Sequence, residues 1–362
     1  MNAKVRLITQ LRHRLGELGE LEAKLRGNGA RALLDRTVRE RAVVIPPVSV
    51  PAPQRSALDT QVVEQLLDAG KQGLRKLQQH GDAAELSPQE MVGLEAVELL
   101  ITRPAIFVMG GDFLSPPEPW GSLLEQERPS IRRVFQSVGR IEVSYGIGAP
   151  EMIGTGFVVA PGILMTNRHV VVNFSEQVQG TWQFVAGLTP AIDYHRERDG
   201  TSQASFEVLE VLGVHSSPDV DLALLRVSRQ AGHEDPAPVP LSLASVAPES
   251  PAGRDVYSVG YPAADRQGLT PPQVLRDIFG AVYQVKRLQP GKLMGVDDSL
   301  PIFTHDCSTL AGNSGSCVVD LKTGQVIGLH YGGSYRQANY AVALWRLKDD
   351  PLLRDAGIQF DA

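Results

Sequence analysis

The chain has 362 residues, 43% hydrophobic and 21% charged, which predicts two or three domains of a globular protein with a sizeable core. A formal net charge of −6 gives no basic footprint for nucleic acid and no polybasic patch for a membrane surface. The N-terminus lacks an apolar run of signal-peptide length, and no window nears about 18 uninterrupted apolar residues, so a cytoplasmic chain without a membrane span is expected.

The first 130 residues pattern as helix. Ile8, Leu11, Leu15, Leu18, Leu21 and Leu25 recur at three- and four-residue steps, one apolar stripe that Gly27 and Gly29 end. Residues 41–55 are proline-rich and read as extended chain. A second helix, opened by Ser56 and Asp59, is predicted to run to about His80. Ser87-Pro88-Gln89-Glu90 has the form of a capping box: the serine accepts an early backbone N–H and the glutamate reaches back. It opens a third helix to about Thr102. Residues 1–102 are therefore expected to form a helical region, and the proline-rich residues 103–130 a connector.

Beyond residue 130 the apolar period falls to about two, with glycine and proline turns. Strands are predicted at Arg140–Ser144, Thr155–Ala160, Ile163–Thr166, Trp182–Val185, Phe206–Leu212 and Leu222–Val227, and again at Asp255–Val259, Cys317–Val319, Val326–His330 and Tyr340–Ala343. A second proline-rich stretch, 235–251, divides them into halves. Many short strands with such turns point to barrels or sandwiches. Cys307 and Cys317 are too few for a disulfide scaffold, and two reduced core cysteines are expected rather than a bridge.

Three segments carry chemistry. Residues 154–172 run from a glycine-flanked strand through a Pro161-Gly162 turn to Thr166-Asn167-Arg168-His169. Residues 218–227 place an acid before an apolar strand. Residues 309–319 set Ser314 inside a glycine-rich turn. A serine hydroxyl is a poor nucleophile without a neighbouring base. Histidine titrates near neutrality and can take that proton and return it. A carboxylate fixes the imidazole tautomer. Glycines beside the serine let the backbone aim two N–H groups at one point.

In this order the segments resemble the His, Asp and Ser motifs of the chymotrypsin-like serine peptidases, over roughly residues 131–350. The resemblance implies a mainly β fold of two six-stranded antiparallel barrels behind the smaller helical N-terminal region, with 131–234 as the first barrel, 235–251 as the link and 252–362 as the second. It implies His169 as general base, Asp221 as orienting acid, Ser314 as nucleophile, and the N–H groups of Gly312 and Ser314 as the oxyanion hole. Asp219 is the rival acid; Asp221 is preferred because it directly precedes the apolar strand. The segment from Gln325 to Gly333, with Thr309 before the serine, is similar to the glutamate-specific branch typified by the staphylococcal V8 enzyme, and viral 3C-like proteases use a similar Thr and His pair for glutamine. Thr309, His330, Gly332 and Gly333 are accordingly expected to bind the residue before the scissile bond (P1), a glutamate or glutamine.

Asn313 stands where secreted members usually carry an acid that pairs with a new N-terminus, so activation by clipping is not expected. Control is expected instead from residues 1–130, through a protein partner or by inhibition. The substrate is expected to be protein or peptide, with no cofactor. His195, His215 and His305 show no metal-ligand spacing, and no metal is expected. The alternative reading is a non-catalytic or partner-activated peptide-binding scaffold. A protease with a following PDZ domain is disfavoured, because few residues follow Lys348.

Overall fold

The computed structural model describes residues 68–77, 79–80, 83–91, 93–94, 103–116, 119–146, 148–200, 205–228, 238–264, 279–280, 282–334 and 338–361. The apolar stripe at Ile8–Leu25 and the proline-rich segment 41–55 lie outside them. The chain divides into two compact units. One takes in the N-terminal region. Within it the expected capping box forms, Ser87 N–H donating to Glu90 Oε2 at 2.8 Å and Glu90 N–H to Ser87 Oγ at 3.2 Å. Lys76 Nζ adds a bond to the same carboxylate at 2.9 Å, and these bonds hold it below the usual carboxylate range.

The other unit is built on two barrels. In the first, β3 (Val138–Tyr145), β4 (Glu151–Ala160), β5 (Ile163–Thr166), β8 (Leu188–Asp193), β9 (Ser205–Val214) and β10 (Ala223–Val227) close in the order β10-β5-β4-β3-β8-β9. Every pairing is antiparallel. Register shifts in β3–β4, β4–β5 and β9–β10 bend the sheet, as closure of so few strands requires. Ile141, Val143, Val158, Leu164, Val170, Ile192, Phe206 and Leu225 fill the interior. A short hairpin, β6 (Ser175–Val178) with β7 (Thr181–Phe184), stands apart from this barrel sheet.

The second barrel runs β12 (Asp255–Gly260), β15 (Cys317–Asp320), β16 (Val326–Ser334), β17 (Ala338–Ala343), β14 (Ile302–His305) and β13 (Arg287–Val296), closed by pairing of β13 with β12. Its core holds Val256, Leu293, Phe303, Val318, Ile327 and Trp345, with Phe303 and Trp345 stacked at 5.5 Å. Two closed six-stranded antiparallel barrels are thus present, as expected. Within the 235–251 link, β11 (Leu243–Ala244) pairs in parallel with β16 and with the terminal β18 (Phe360–Asp361). Neither Cys307 nor Cys317 forms a disulfide, and both are buried.

The stretch expected as a connector has structure of its own. β1 (Ile106–Met109) pairs with β13 and with β2 (Asp112–Phe113). The buried Arg287 guanidinium lies 3.2 Å from the Phe107 ring centre and donates to Ala105 O at 3.0 Å. Helix α1 (Arg128–Ser137) then leads into β3. The fully buried Lys286 ammonium donates to Phe135 O at 2.5 Å and Tyr194 O at 2.7 Å. It therefore links the end of α1, the first barrel and the entry to β13, and burial pushes its pKa down to about 8.

Candidate active site

His169 lies on a single helical turn, α2 (Arg168–Val171), directly after β5. Its Nδ1 is 2.5 Å from Asp221 Oδ2, and its backbone N–H donates to Asp221 Oδ1 at 3.1 Å. Two bonds to one carboxylate fix the ring and place the proton on Nδ1, leaving the Nε2 lone pair able to accept a proton. Partial burial pushes the Asp221 carboxyl up, but the His169 hydrogen bond, the His169 charge and backbone N–H groups outweigh it and hold the pKa below the ordinary value. Asp219, the rival acid, has no bond to His169 among the described residues; its N–H donates to Ser217 Oγ in a local turn.

The loop carrying Asp221 is shaped by a residue that the sequence reading left without a role. The Arg168 guanidinium donates to the carbonyls of His215 (2.6 Å), Val220 (2.8 Å) and Pro218 (3.4 Å), and to that of Ser217. Asn167, fully buried, donates through Nδ2 to Asp221 O at 2.8 Å. His169 and Asp221 are thus oriented by the two residues that precede the histidine.

Ser314 sits in the turn between β14 and β15. Gly312 and Gly315 flank it with φ of +87° and +91°, a region that favours glycine. The turn is tied to the first barrel by one strand. Thr155 of β4, fully buried, donates its N–H to Ser314 O at 2.8 Å and its hydroxyl to Gly312 O at 2.7 Å. Thr155 Oγ1 in turn accepts the Tyr261 N–H at 3.3 Å. Ala263 N–H holds Ala311 O at 2.6 Å. With the carbonyls of 311, 312 and 314 all engaged, the trans Ala311–Gly312 peptide points its N–H the opposite way. Among the described residues neither the Gly312 nor the Ser314 N–H has an acceptor within the chain. They are the two donors expected of an oxyanion hole.

The serine and histidine segments meet at β4 and β5. A Cβ on Gly154 would stand 2.8 Å from Val170, the residue after His169, and 3.2 Å from Ser314 O. One on Gly315 would stand 1.8 Å from Thr155 O and 2.6 Å from Thr166 Oγ1. The histidine is about half exposed and Ser314 partly so. Among the described residues no hydrogen bond joins the serine hydroxyl to the imidazole.

A family profile described as a trypsin-like peptidase domain matches residues 154–329, from Gly154 through the serine turn to Leu329. The chain carries a trypsin-like serine peptidase domain. A Lysobacter enzymogenes protein assigned as a serine protease is 29% identical over 337 residues, 84% of this chain and 85% of that one. A glutamyl endopeptidase of Staphylococcus aureus is 26% identical over 190 residues, 52% of this chain and 45% of its own length. The solved structure of the active form of the Mycobacterium tuberculosis protease Rv3671c is 21% identical, with a TM-score of 0.42, covering 69% of this chain and 91% of that one.

Of the residues expected at the P1 pocket of the peptidase, His330, Gly332 and Gly333 lie on β16 and Thr309 on the loop that follows β14. His330 is held beside the Ser314 turn: Gly315 N–H donates to His330 O and His330 N–H to Ser316 O, both at 2.9 Å. Its ring is buried and its Nδ1 lies 3.1 Å from Nε2 of buried His305. Burial pushes the His305 pKa down to about 3, and burial, His305 and His169 push His330 well below the ordinary value. Both rings are therefore neutral. Thr309 donates to Asn339 Oδ1 at 2.7 Å, and Asn339 Nδ2 to Cys307 O at 2.6 Å. Gly333 pairs with Asn339 in register, and a Cβ on Gly333 would stand 2.2 Å from Asn339 Oδ1. Gly332 pairs with Tyr340.

Asn313 is fully buried and satisfied within its own turn. Its N–H and Nδ2 both reach Leu310 O, at 3.1 and 3.3 Å, and its Oδ1 accepts Ser316 Oγ at 3.5 Å. The serine turn therefore closes on a neutral amide. Among the described residues no group of His, Cys, Asp and Glu could hold a metal ion, and no helix is long and apolar enough to cross a membrane.

Proposed function

We propose that this serine peptidase works through His169, Asp221 and Ser314, and that it prefers glutamate or glutamine at P1. The observation that carries the assignment is the 2.5 Å His169–Asp221 bond, on the element pinned through β4 to the Ser314 turn. In this reading Ser314 Oγ attacks the scissile carbonyl while His169 Nε2 takes its proton. Asp221 keeps the ring in the tautomer that can do so and stabilises the imidazolium. The carbonyl oxygen, now an anion, accepts from the N–H groups of Gly312 and Ser314. The His169 proton passes to the leaving amine, and water then repeats the sequence on the acyl-enzyme.

The P1 reading is supported by neutral His330, whose Nε2 has no hydrogen-bond partner among the described residues and would be left unpaired by an apolar P1 side chain. The glutamyl name of the Staphylococcus aureus relative agrees with it. Residues 1–130 would then control the enzyme by binding a partner or by inhibition, and the cytoplasm would be its compartment. One observation favours the second reading, a non-catalytic or partner-activated peptide-binding scaffold with a protease fold: among the described residues no hydrogen bond joins Ser314 to His169. A panel of matched peptides tests the proposal. P1 Glu or Gln should be cut faster than P1 Arg, Phe or Ala, and Ser314→Ala should abolish all cleavage. Equal rates across the panel would end the P1 reading, and cleavage that survives the substitution would end the triad assignment.

A further inference from the structure

Asn339 links the two polar residues of the proposed pocket and fixes which way their protons point. The Cys307 carbonyl can only accept, so the Asn339 group 2.6 Å from it is the amide nitrogen. Asn339 Oδ1 therefore faces Thr309, and it too can only accept. The Thr309 hydroxyl proton is committed to that oxygen at 2.7 Å. What remains of Thr309 Oγ1 toward a ligand is lone pairs.

The histidine side is fixed in the complementary sense. His305 and Asn339 are register partners across β14 and β17, so both polar pairs stand on one wall. The buried His305 Nδ1 has no hydrogen-bond partner. If His305 received a proton from His330, its own N–H would be that orphaned nitrogen, an arrangement that buried donors rarely adopt. With His305 Nε2–H donating to His330 Nδ1 instead, the orphan is a bare lone pair, and the His330 proton sits on Nε2. The wall therefore offers one donor, His330 Nε2–H, and one acceptor, Thr309 Oγ1.

A carboxamide matches that pair: its oxygen accepts and its nitrogen donates. A carboxylate matches half of it, because its second oxygen meets an acceptor. Burial keeps both histidines neutral, so no imidazolium offsets the charge. We propose that Asn339 makes this pocket selective for a carboxamide, so that glutamine rather than glutamate is the preferred P1 residue. The inference rests on the Thr309–His330 pocket proposed above.

The test uses the full chain and matched fluorogenic peptides with P1 Gln, Glu, Arg or Phe. At about pH 8 the kcat/KM for Gln should exceed that for Glu by about tenfold or more, the cost of one mismatched buried hydrogen bond. A protonated Glu side chain has the donor and acceptor pattern of an amide. The Glu-to-Gln ratio should therefore rise as pH falls through the carboxyl range near about 4.3; using the ratio cancels the titration of the catalytic groups. Asn339→Leu, which returns the Thr309 proton to the ligand, should narrow the Gln preference at least about fivefold at pH 8. Glu cut as fast as Gln, with both ahead of Arg and Phe, overturns this inference and leaves the pocket standing. Four equal rates overturn the pocket itself. A Gln-to-Glu ratio that is flat with pH overturns the inference in the wild-type chain, whether or not Asn339→Leu folds.

Discussion

Thr155 and Arg168 are the residues on which the geometry around Ser314 and His169 depends most, and neither is among the groups proposed to meet the substrate. The Thr155 hydroxyl holds Gly312 O in place, and through it the donor that would meet the oxyanion. Thr155→Val keeps the volume and removes the bond. We expect kcat to fall about tenfold to a hundredfold with KM little changed, because the lost interaction belongs to the transition state. Thr155→Ser should restore most of it, a rescue that a purely packing role would not produce. Arg168→Lys keeps the charge but cannot fan out to four carbonyls. On the proposed triad, with the Asp221 loop loosened, kcat/KM should fall about tenfold or more. An unchanged kcat/KM would show that the loop holds its shape without the guanidinium. His169, Asp221 and Ser314 stand out in the sequence because each sits in a local motif whose chemistry is specific. Thr155 and Arg168 lie inside those motifs but are identified only by what they touch across the barrels. Asn339, a single polar residue in an otherwise ordinary strand, carried no local signal at all.

At the scale of elements, the Ser314 turn and the β14–β16 wall set the limits of tolerance. Gly315 has φ of +91°, and any Cβ there would collide with Thr155 O at 1.8 Å. Gly315→Ala should destabilise the fold by about 3 kcal/mol, seen as a lower unfolding midpoint in urea together with lost activity. A midpoint within error of the wild type would mean that the turn relaxes away from β4. The buried histidine pair predicts an acid response. Its folded pKa values are depressed, His305 from its ordinary 6.5 to about 3. The unfolded chain therefore binds more protons between those limits, and stability must fall as pH drops from about 6.5 toward 3. The slope should approach about 1.4 kcal/mol per pH unit for each histidine and should shrink in His305→Gln. Short apolar runs bounded by glycine and proline turns were enough to find β4, β5, β10 and β16, and alternation to find β9. It did not reveal β13, where Arg287, Pro290 and Lys292 interrupt the apolar pattern, or β1, hidden in a proline-rich stretch. Those strands are specified by neighbours: β13 by β12, β14 and β1, and β1 by the cation over Phe107.

For the whole molecule, β1 changes where a regulatory boundary can be drawn. Removing residues 1–130 would strip β1 and β2 from the second barrel and α1 residues from the entry to the first. A deletion of residues 1–102 keeps Ala105, Phe107 and their contacts with Arg287. On the regulatory proposal that shorter deletion should change kcat/KM several-fold or abolish binding of a protein partner. Unchanged activity, specificity and partner binding would leave the N-terminal region as structural support. The helical patterning of that region was legible, and its capping box forms as read, but nothing in a stripe of leucines says what covers it. The most direct test of the central claim is the mass of the intact chain, and of its peptides, after reaction with a fluorophosphonate. The proposed triad predicts one adduct per chain, on Ser314, absent from Ser314→Ala and strongly slowed in His169→Ala. An adduct on another residue, or none on a folded wild-type chain, would contradict it.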